Sequence, residues 1–96
     1  MKHQVHLAIQ IVPITQENHY YIIDKAIEVF EKAGVDYRVG AMETVIQGDY
    51  TTLMRLAEEA QQACFDAGAD EVIVTMKLHA RKTSDITWEE KLEKYQ

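Results

Sequence analysis

Nine side chains with complementary chemistry gather near the predicted turns and strand ends: Gln10, Asn18, His19, Tyr20, Tyr21, Met42, Glu43, Thr44 and Gln47. Amides present a donor and an acceptor together, which matches the edge of a flat, hydrogen-bonding heterocycle. Methionine and tyrosine pack well against the face of such a ring. A carboxylate or an aromatic face would also favour a ligand carrying positive charge. Any one of these residues, taken alone, serves equally well as a cap or hairpin residue.

Other chemistry has weaker support. The four histidines are His3, His6, His19 and His79, and no pair of them has metal-ligand spacing. His3 and His6 are three apart on a predicted strand, which points them to opposite faces. Surface or interface histidine is the expected role, and no metal is expected. Cys64, the single cysteine, falls on the apolar stripe of a helix and reads as a small buried hydrophobe. Gly34, Gly40, Gly48 and Gly68 fit helix ends and turns, and match neither a dinucleotide nor a phosphate-loop spacing. Lys77, Arg81 and Lys82 form the basic cluster, without the exposed aromatics that an RNA-binding sheet would use.

The elements that must position these residues follow a doubled pattern. Ala33-Gly34-Val35-Asp36 recurs as Ala67-Gly68-Ala69-Asp70, an offset of 34 residues, each time closing a helix and opening a strand. Val5, Leu7, Ile9 and Ile11 alternate with His6, Ala8, Gln10 and Val12, the period of a half-buried strand that Pro13 is expected to end. Asn18 caps a helix with Ile22, Ile23, Ala26, Ile27, Phe30 and Ala33 on one stripe, closed by Gly34. Val35, Tyr37 and Val39 lead through Gly40 to the return strand Thr44-Val45-Ile46. Asp49 caps the second helix, whose stripe runs from Leu53 to Ala67, and Val72, Val74, Met76 and Leu78 form the last strand. Thr87 and Glu90 make a capping box for a short helix reaching about Tyr95, with Trp88 packed, a neighbouring subunit being its expected partner. The order is β-α-β-β-α-β-α: a ferredoxin-like split βαβ, α+β in class, with a four-stranded antiparallel sheet and an added C-terminal helix.

Composition bounds the rest. Ninety-six residues suit one domain over positions 1–96, and 47% hydrophobic with 27% charged residues is globular rather than disordered. A net charge of −6 disfavours nucleic acid as a partner. No apolar run approaches the roughly 20 residues that a membrane span needs. The start, Met1-Lys2-His3-Gln4, lacks the pattern of a signal peptide. With a lone cysteine, a reducing cytoplasm is the expected setting.

Met42-Glu43-Thr44-Val45-Ile46-Gln47-Gly48 resembles the hairpin motif of the small thiamine-binding protein family, usually Met-Gly-Thr-Val-Ile-Glu-Gly. The likeness extends to Val12-Pro13, Tyr21, the segment from Ala63 to Asp70, Thr75-Met76-Lys77-Leu78 and Arg81. Glu43 stands where the family has glycine, Gln47 where it has glutamate, and His79 where it has aspartate. The loop from Ile14 to His19 replaces a Gly-rich, Ser-containing one. The resemblance implies a non-enzymatic binder of thiamine or its hydroxymethylpyrimidine precursor. It further implies dimers or tetramers formed through sheet faces, and no cofactor beyond that ligand.

Two helices cover one face of a four-stranded sheet, so the other face is expected to form a subunit interface holding a polar pocket. An aminopyrimidine is expected at the edge of that open face. Gln10 and Thr44 would be neighbours on central strands, flanked by Thr75 and Lys77. Asn18 and Tyr21 would close one end and Met42 and Gln47 the other, with Lys77 alternatively paired to Glu43. The competing readings are a regulatory or assembly domain without a small ligand and an acylphosphatase-like enzyme. The enzyme would want an arginine in a phosphate-cradling loop, and Pro13 to Asn18 supplies neither arginine nor glycine.

Overall fold

A computed structural model of the chain describes residues 3–16 and 18–95. Met1, Lys2, Glu17 and Gln96 lie outside the described residues, and with them the first two positions read for a signal peptide, one loop residue after Pro13 and the last residue of the tail. The elements are β1 (Val5–Ile14), α1 (His19–Ala33), β2 (Asp36–Val39), β3 (Thr44–Gly48), α2 (Tyr50–Asp66), β4 (Glu71–His79) and α3 (Trp88–Leu92), which a 3-10 turn over Glu93–Tyr95 extends. The four strands form one antiparallel sheet in the order β2-β3-β1-β4, the ferredoxin-like arrangement that the pattern predicts.

Local chemistry explains the boundaries. The Asn18 carboxamide oxygen accepts from the N–H groups of Tyr20 and Tyr21 at 2.9 and 3.4 Å, and Asp49 accepts from Thr52 N–H at 3.0 Å. These bonds satisfy donors that a helix start leaves without partners. The repeated Ala-Gly pair has a common cause. Gly34 at φ +73° and Gly68 at φ +111° both take left-handed backbone, which only glycine adopts without steric cost, so both helices can turn into the following strand. The inner sheet face carries Leu7, Ile9 and Ile46, and packs against Ile22 and Phe30 of α1 and Leu53, Leu56, Ala60 and Cys64 of α2, all fully buried.

Pro13 does not end β1, contrary to expectation. The strand continues to Ile14, paired to β4 as far as Ile14↔Glu71, while its pairing with β3 stops at Ile9↔Thr44. From Gln10 onward β1 therefore has a strand neighbour on one side only, and a proline is tolerated where no second ladder needs its missing N–H. This early stop of β3 opens a space between the end of β1 and α1.

Trp88 is buried as expected, but against its own chain and not a neighbouring subunit: α3 folds back over one end of the outer sheet face and stacks the indole on His6, with ring centroids 4.3 Å apart. His6 is accordingly 3% exposed rather than a surface residue. A directed chain of hydrogen bonds fixes this corner. Lys91 Nζ lies 2.8 Å from His6 Nδ1, and an ammonium can only donate, so Nδ1 accepts. His6 Nε2 then carries the proton and donates to Gln47 Oε1 at 2.7 Å. Gln47 Nε2 donates to Asp36 Oδ2 at 3.4 Å, and Trp88 Nε1 donates to the same oxygen at 2.7 Å. The Arg38 guanidinium lies 4.5 Å from the Trp88 ring, and the Thr87–Glu90 capping box starts the helix as expected.

Elsewhere the outer face leaves Val12, Ile14 and Ile73 about half exposed. Met76 and Leu78, on the inner face at the β4 edge, are similarly open, because the two long helices do not reach fully over that strand.

Candidate functional site

Between the first half of α1 and the β2–β3 hairpin lies a cavity of about 420 Å³. Its floor is the inner face of β1, with Ile9, Ile11 and Pro13, together with Thr44 at the start of β3. Ile23, Ala26, Ile27 and Phe30 of α1 form the roof, and the hairpin from Val39 to Glu43 forms the end wall. The exposed His19, Tyr20 and Met42 stand at the rim with Gln10.

The cavity follows from strand offset and hairpin geometry. β3 begins only at Thr44, opposite Ile9, so the last residues of β1 and the α1 stripe above them have no third strand to pack on. The four-residue turn is held by Gly40 N–H donating to the Glu43 carbonyl at 2.8 Å. A Cβ at Gly40 would lie 2.9 Å from that carbonyl, so the turn requires glycine there. Its hydrogen bond fixes the Glu43 backbone, and with it the end wall. Thr44 is 7% exposed, one of two buried polar residues among the described core, and its hydroxyl can both donate and accept. An apolar roof over Thr44, with an amide, an imidazole, a phenol and an acidic residue around it, suits a small aromatic heterocycle of mixed polarity. The volume lies within the roughly 300–1,000 Å³ of small-molecule sites.

The structure sorts the predicted residues into groups. The pairing Ile9↔Thr44 turns Thr44 to the inner face, whereas Gln10 pairs with Thr75 and faces outward, so the two are not neighbours on one face. Both nevertheless line the cavity, from opposite sides of the β1 edge, with Met42. Asn18 serves as the α1 cap beside the rim residues His19 and Tyr20. Tyr21 lies instead at a smaller hollow between α1 and α2, with the Lys25 ammonium 5.5 Å from its ring centroid. Gln47 belongs to the His6 corner at the far end of β3. Lys77 is on the outer face and pairs with Glu43 at 3.2 Å, the alternative weighed for it. The cavity thus lies on the helix-covered side of the sheet, not on the open face where the heterocycle was expected. Sequence reading missed its apolar walls, Ile23, Ile27, Val39 and Ala41, although the α1 stripe is broader at Ile22-Ile23 and Ala26-Ile27 than packing on one strand would need.

A larger, shallow groove of about 590 Å³ between α1 and α2 is lined by Lys32, Arg55, Glu59 and Asp66, and Arg55 is already paired with Glu59 at 3.1 Å. Val29, Leu56 and Ala63 also line it, but the charged side chains leave it more polar than the first.

Comparison with known proteins bears on what the cavity serves. The family model described as thiamine-binding protein matches residues 7–96. The chain belongs to the thiamine-binding protein family. A UPF0045 protein of Clostridium perfringens is 34% identical over 90 residues, covering 93% of this chain and 94% of that protein. Among solved structures, a domain of unknown function DUF77 from Bacillus cereus is 44% identical with a TM-score of 0.94, covering 98% of this chain and 91% of that one. A Thermotoga maritima protein provisionally assigned to thiamine biosynthesis or salvage is 26% identical with a TM-score of 0.87, over 97% of this chain and 99% of that one. The family that the resemblance pointed to and the fold expected with it are therefore both found. Among the described residues, no helix is long and apolar enough to cross a membrane.

Proposed function

We propose that this family member binds thiamine or its hydroxymethylpyrimidine precursor in the cavity under α1, without catalysing a reaction. The observation that carries the reading is Thr44, a largely buried residue with a hydroxyl, on the floor of a small apolar cavity whose rim holds Gln10, His19 and Tyr20. The aminopyrimidine would lie between the Ile23 and Ile27 side of the roof and the β1 floor. Thr44 and Gln10 would read its polar edge, with Met42 and Tyr20 closing over it. Nucleophilic chemistry would require an accessible activated group. Cys64 is fully buried in α2, and burial pushes its thiol pKa up, away from the reactive thiolate. The proposed organisation is a single domain over residues 1–96, working in the cytoplasm with a small molecule, and not nucleic acid or membrane, as partner.

Calorimetric titration with thiamine and with hydroxymethylpyrimidine is expected to give saturable binding of at least one; saturation by neither would overturn the reading. Thr44→Val keeps the shape and removes the hydroxyl. Losing a hydrogen bond of about 1–1.5 kcal/mol should weaken binding about tenfold at unchanged thermal stability. Unchanged affinity would remove Thr44 from the site.

The second part of the proposal is a homo-oligomer, dimer or tetramer, formed through the outer sheet face. Val12, Ile14 and Ile73 are 43%, 41% and 53% exposed there, an apolar patch that association would remove from water. Sedimentation at micromolar concentration should give an oligomer, and a monomer would contradict it.

A further inference from the structure

We propose that the Lys77–Glu43 ion pair at the mouth of the cavity sets the preference of this site between a cationic and a neutral ligand, Lys77 competing with the ligand's positive charge for the Glu43 carboxylate. The inference rests on the ligand site proposed above and assigns its charge selectivity to two residues.

The geometry comes from three strands. Lys77 on β4 and Val45 on β3 both pair with Ala8 of β1, so all three face outward in one row. Glu43 lies two residues before Val45, in the turn that walls the cavity. The Lys77 stem therefore crosses β1 diagonally to place Nζ 3.2 Å from Glu43 Oε1. Ala8 in the middle of that lane has no side chain large enough to block it. Glu43 is among the residues that line the cavity and its side chain is 34% exposed, whereas the lysine side chain is 71% exposed and reaches the pair from the outer face. Opening the pair exposes no buried charge, and the ammonium can turn into water at little cost.

The consequence is an exchange of cations. A permanently charged thiazolium entering the mouth gains the Glu43 carboxylate only by displacing Lys77, so the attraction it feels is reduced by the attraction it replaces. An uncharged pyrimidine makes no such exchange and leaves the pair closed. Lys77 therefore lowers affinity for the cation selectively, and Glu43 raises it selectively.

The test is titration of the parent protein, Glu43→Gln, Lys77→Gln and the double variant with thiamine and with hydroxymethylpyrimidine, at mildly alkaline pH, where the pyrimidine is uncharged. Glu43→Gln should weaken thiamine about two- to fivefold, and Lys77→Gln should strengthen it about two- to fivefold, in line with exposed charge pairs. The pyrimidine should move less than about twofold in every variant, because it carries no charge to exchange. In the Glu43→Gln background the Lys77→Gln gain should vanish, since its competitor role needs the carboxylate. Equal shifts for both ligands, or a Lys77→Gln gain that persists without Glu43, would overturn the inference while leaving the site intact. Saturation of the parent by neither ligand would instead overturn the site, and this inference with it.

Discussion

Replacing Ile23 with tryptophan is expected to weaken ligand binding about 100-fold while the protein stays folded. Ile23 is half-buried on the α1 roof, with its side chain against the cavity rather than locked in the core. Long side chains on a helix lean toward its N-terminus, which here brings the indole over the rim at His19 and Tyr20. A ring placed there occupies the volume that the ligand's own ring would fill. Burying a heterocycle face of about 110 Å² at about 25 cal/mol/Å² contributes about 2.8 kcal/mol, which is about two decades of affinity. The fold should tolerate the change, because the added atoms enter space and not packed side chains. Asp24→Trp, one residue along on the exposed side of α1, is the control: same helix and same bulk, with parent affinity expected. Binding retained by Ile23→Trp, or lost equally by Asp24→Trp, would count against the cavity.

The second large effect lies at the other end of the sheet. Trp88→Ala should cost about 3–5 kcal/mol, as deletion of a buried aromatic usually does, through release of α3 from His6. The same corner gives a pH dependence of defined sign. Burial is the main influence lowering the His6 pKa below its usual value, with the neighbouring Lys91 and His79 charges acting in the same direction. The Gln47 hydrogen bond and Glu90 oppose them. A histidine with a depressed folded pKa binds its proton better when unfolded, so its contribution to stability is complete above the unfolded value of about 6.5 and is lost as pH falls below that. Structurally, protonation turns Nδ1 from acceptor to donor, facing an ammonium 2.8 Å away. Glu90, held at about 2 first by its Arg81 hydrogen bonds, stays ionised throughout and does not contribute to the change. Trp88 is the single tryptophan, so its emission reports α3 directly. It should stay constant above about pH 6.5 and shift to the red as pH falls below that value, and His6→Phe, which keeps the stack without the titration, should abolish the shift. A pH-independent emission in the parent would contradict the hydrogen-bond directions given above.

How much of this was legible in the sequence depended on the range of each signal. The two helices and their caps at Asn18 and Asp49 were readable because apolar spacing and capping act within a few residues. The repeated Ala-Gly pair was readable because glycine alone takes the backbone that closes both helices. The face of Thr44 was not: Val45 and Ile46 are adjacent and both apolar, so either register satisfies the alternation, and only pairing with Ile9 decides it. The cavity was hidden for a related reason. It is made by the offset between the ends of β1 and β3, a property of neither strand alone. Trp88 was expected to be packed, since a ring so large is seldom left in water, but no local pattern links it to His6, from which it is separated by almost the whole chain.

In the proposed complex the ligand occupies the space under α1, on the helix-covered side of the sheet. The most direct measurement is an amide ¹H–¹⁵N correlation spectrum of the protein titrated with thiamine and with hydroxymethylpyrimidine. Shifts should concentrate at Ile9, Ile11, Tyr20, Ile23 and the turn from Gly40 to Thr44, and spare Ile73 and Thr75 on the outer face. Saturating shifts on the outer face with the cavity silent would contradict the account.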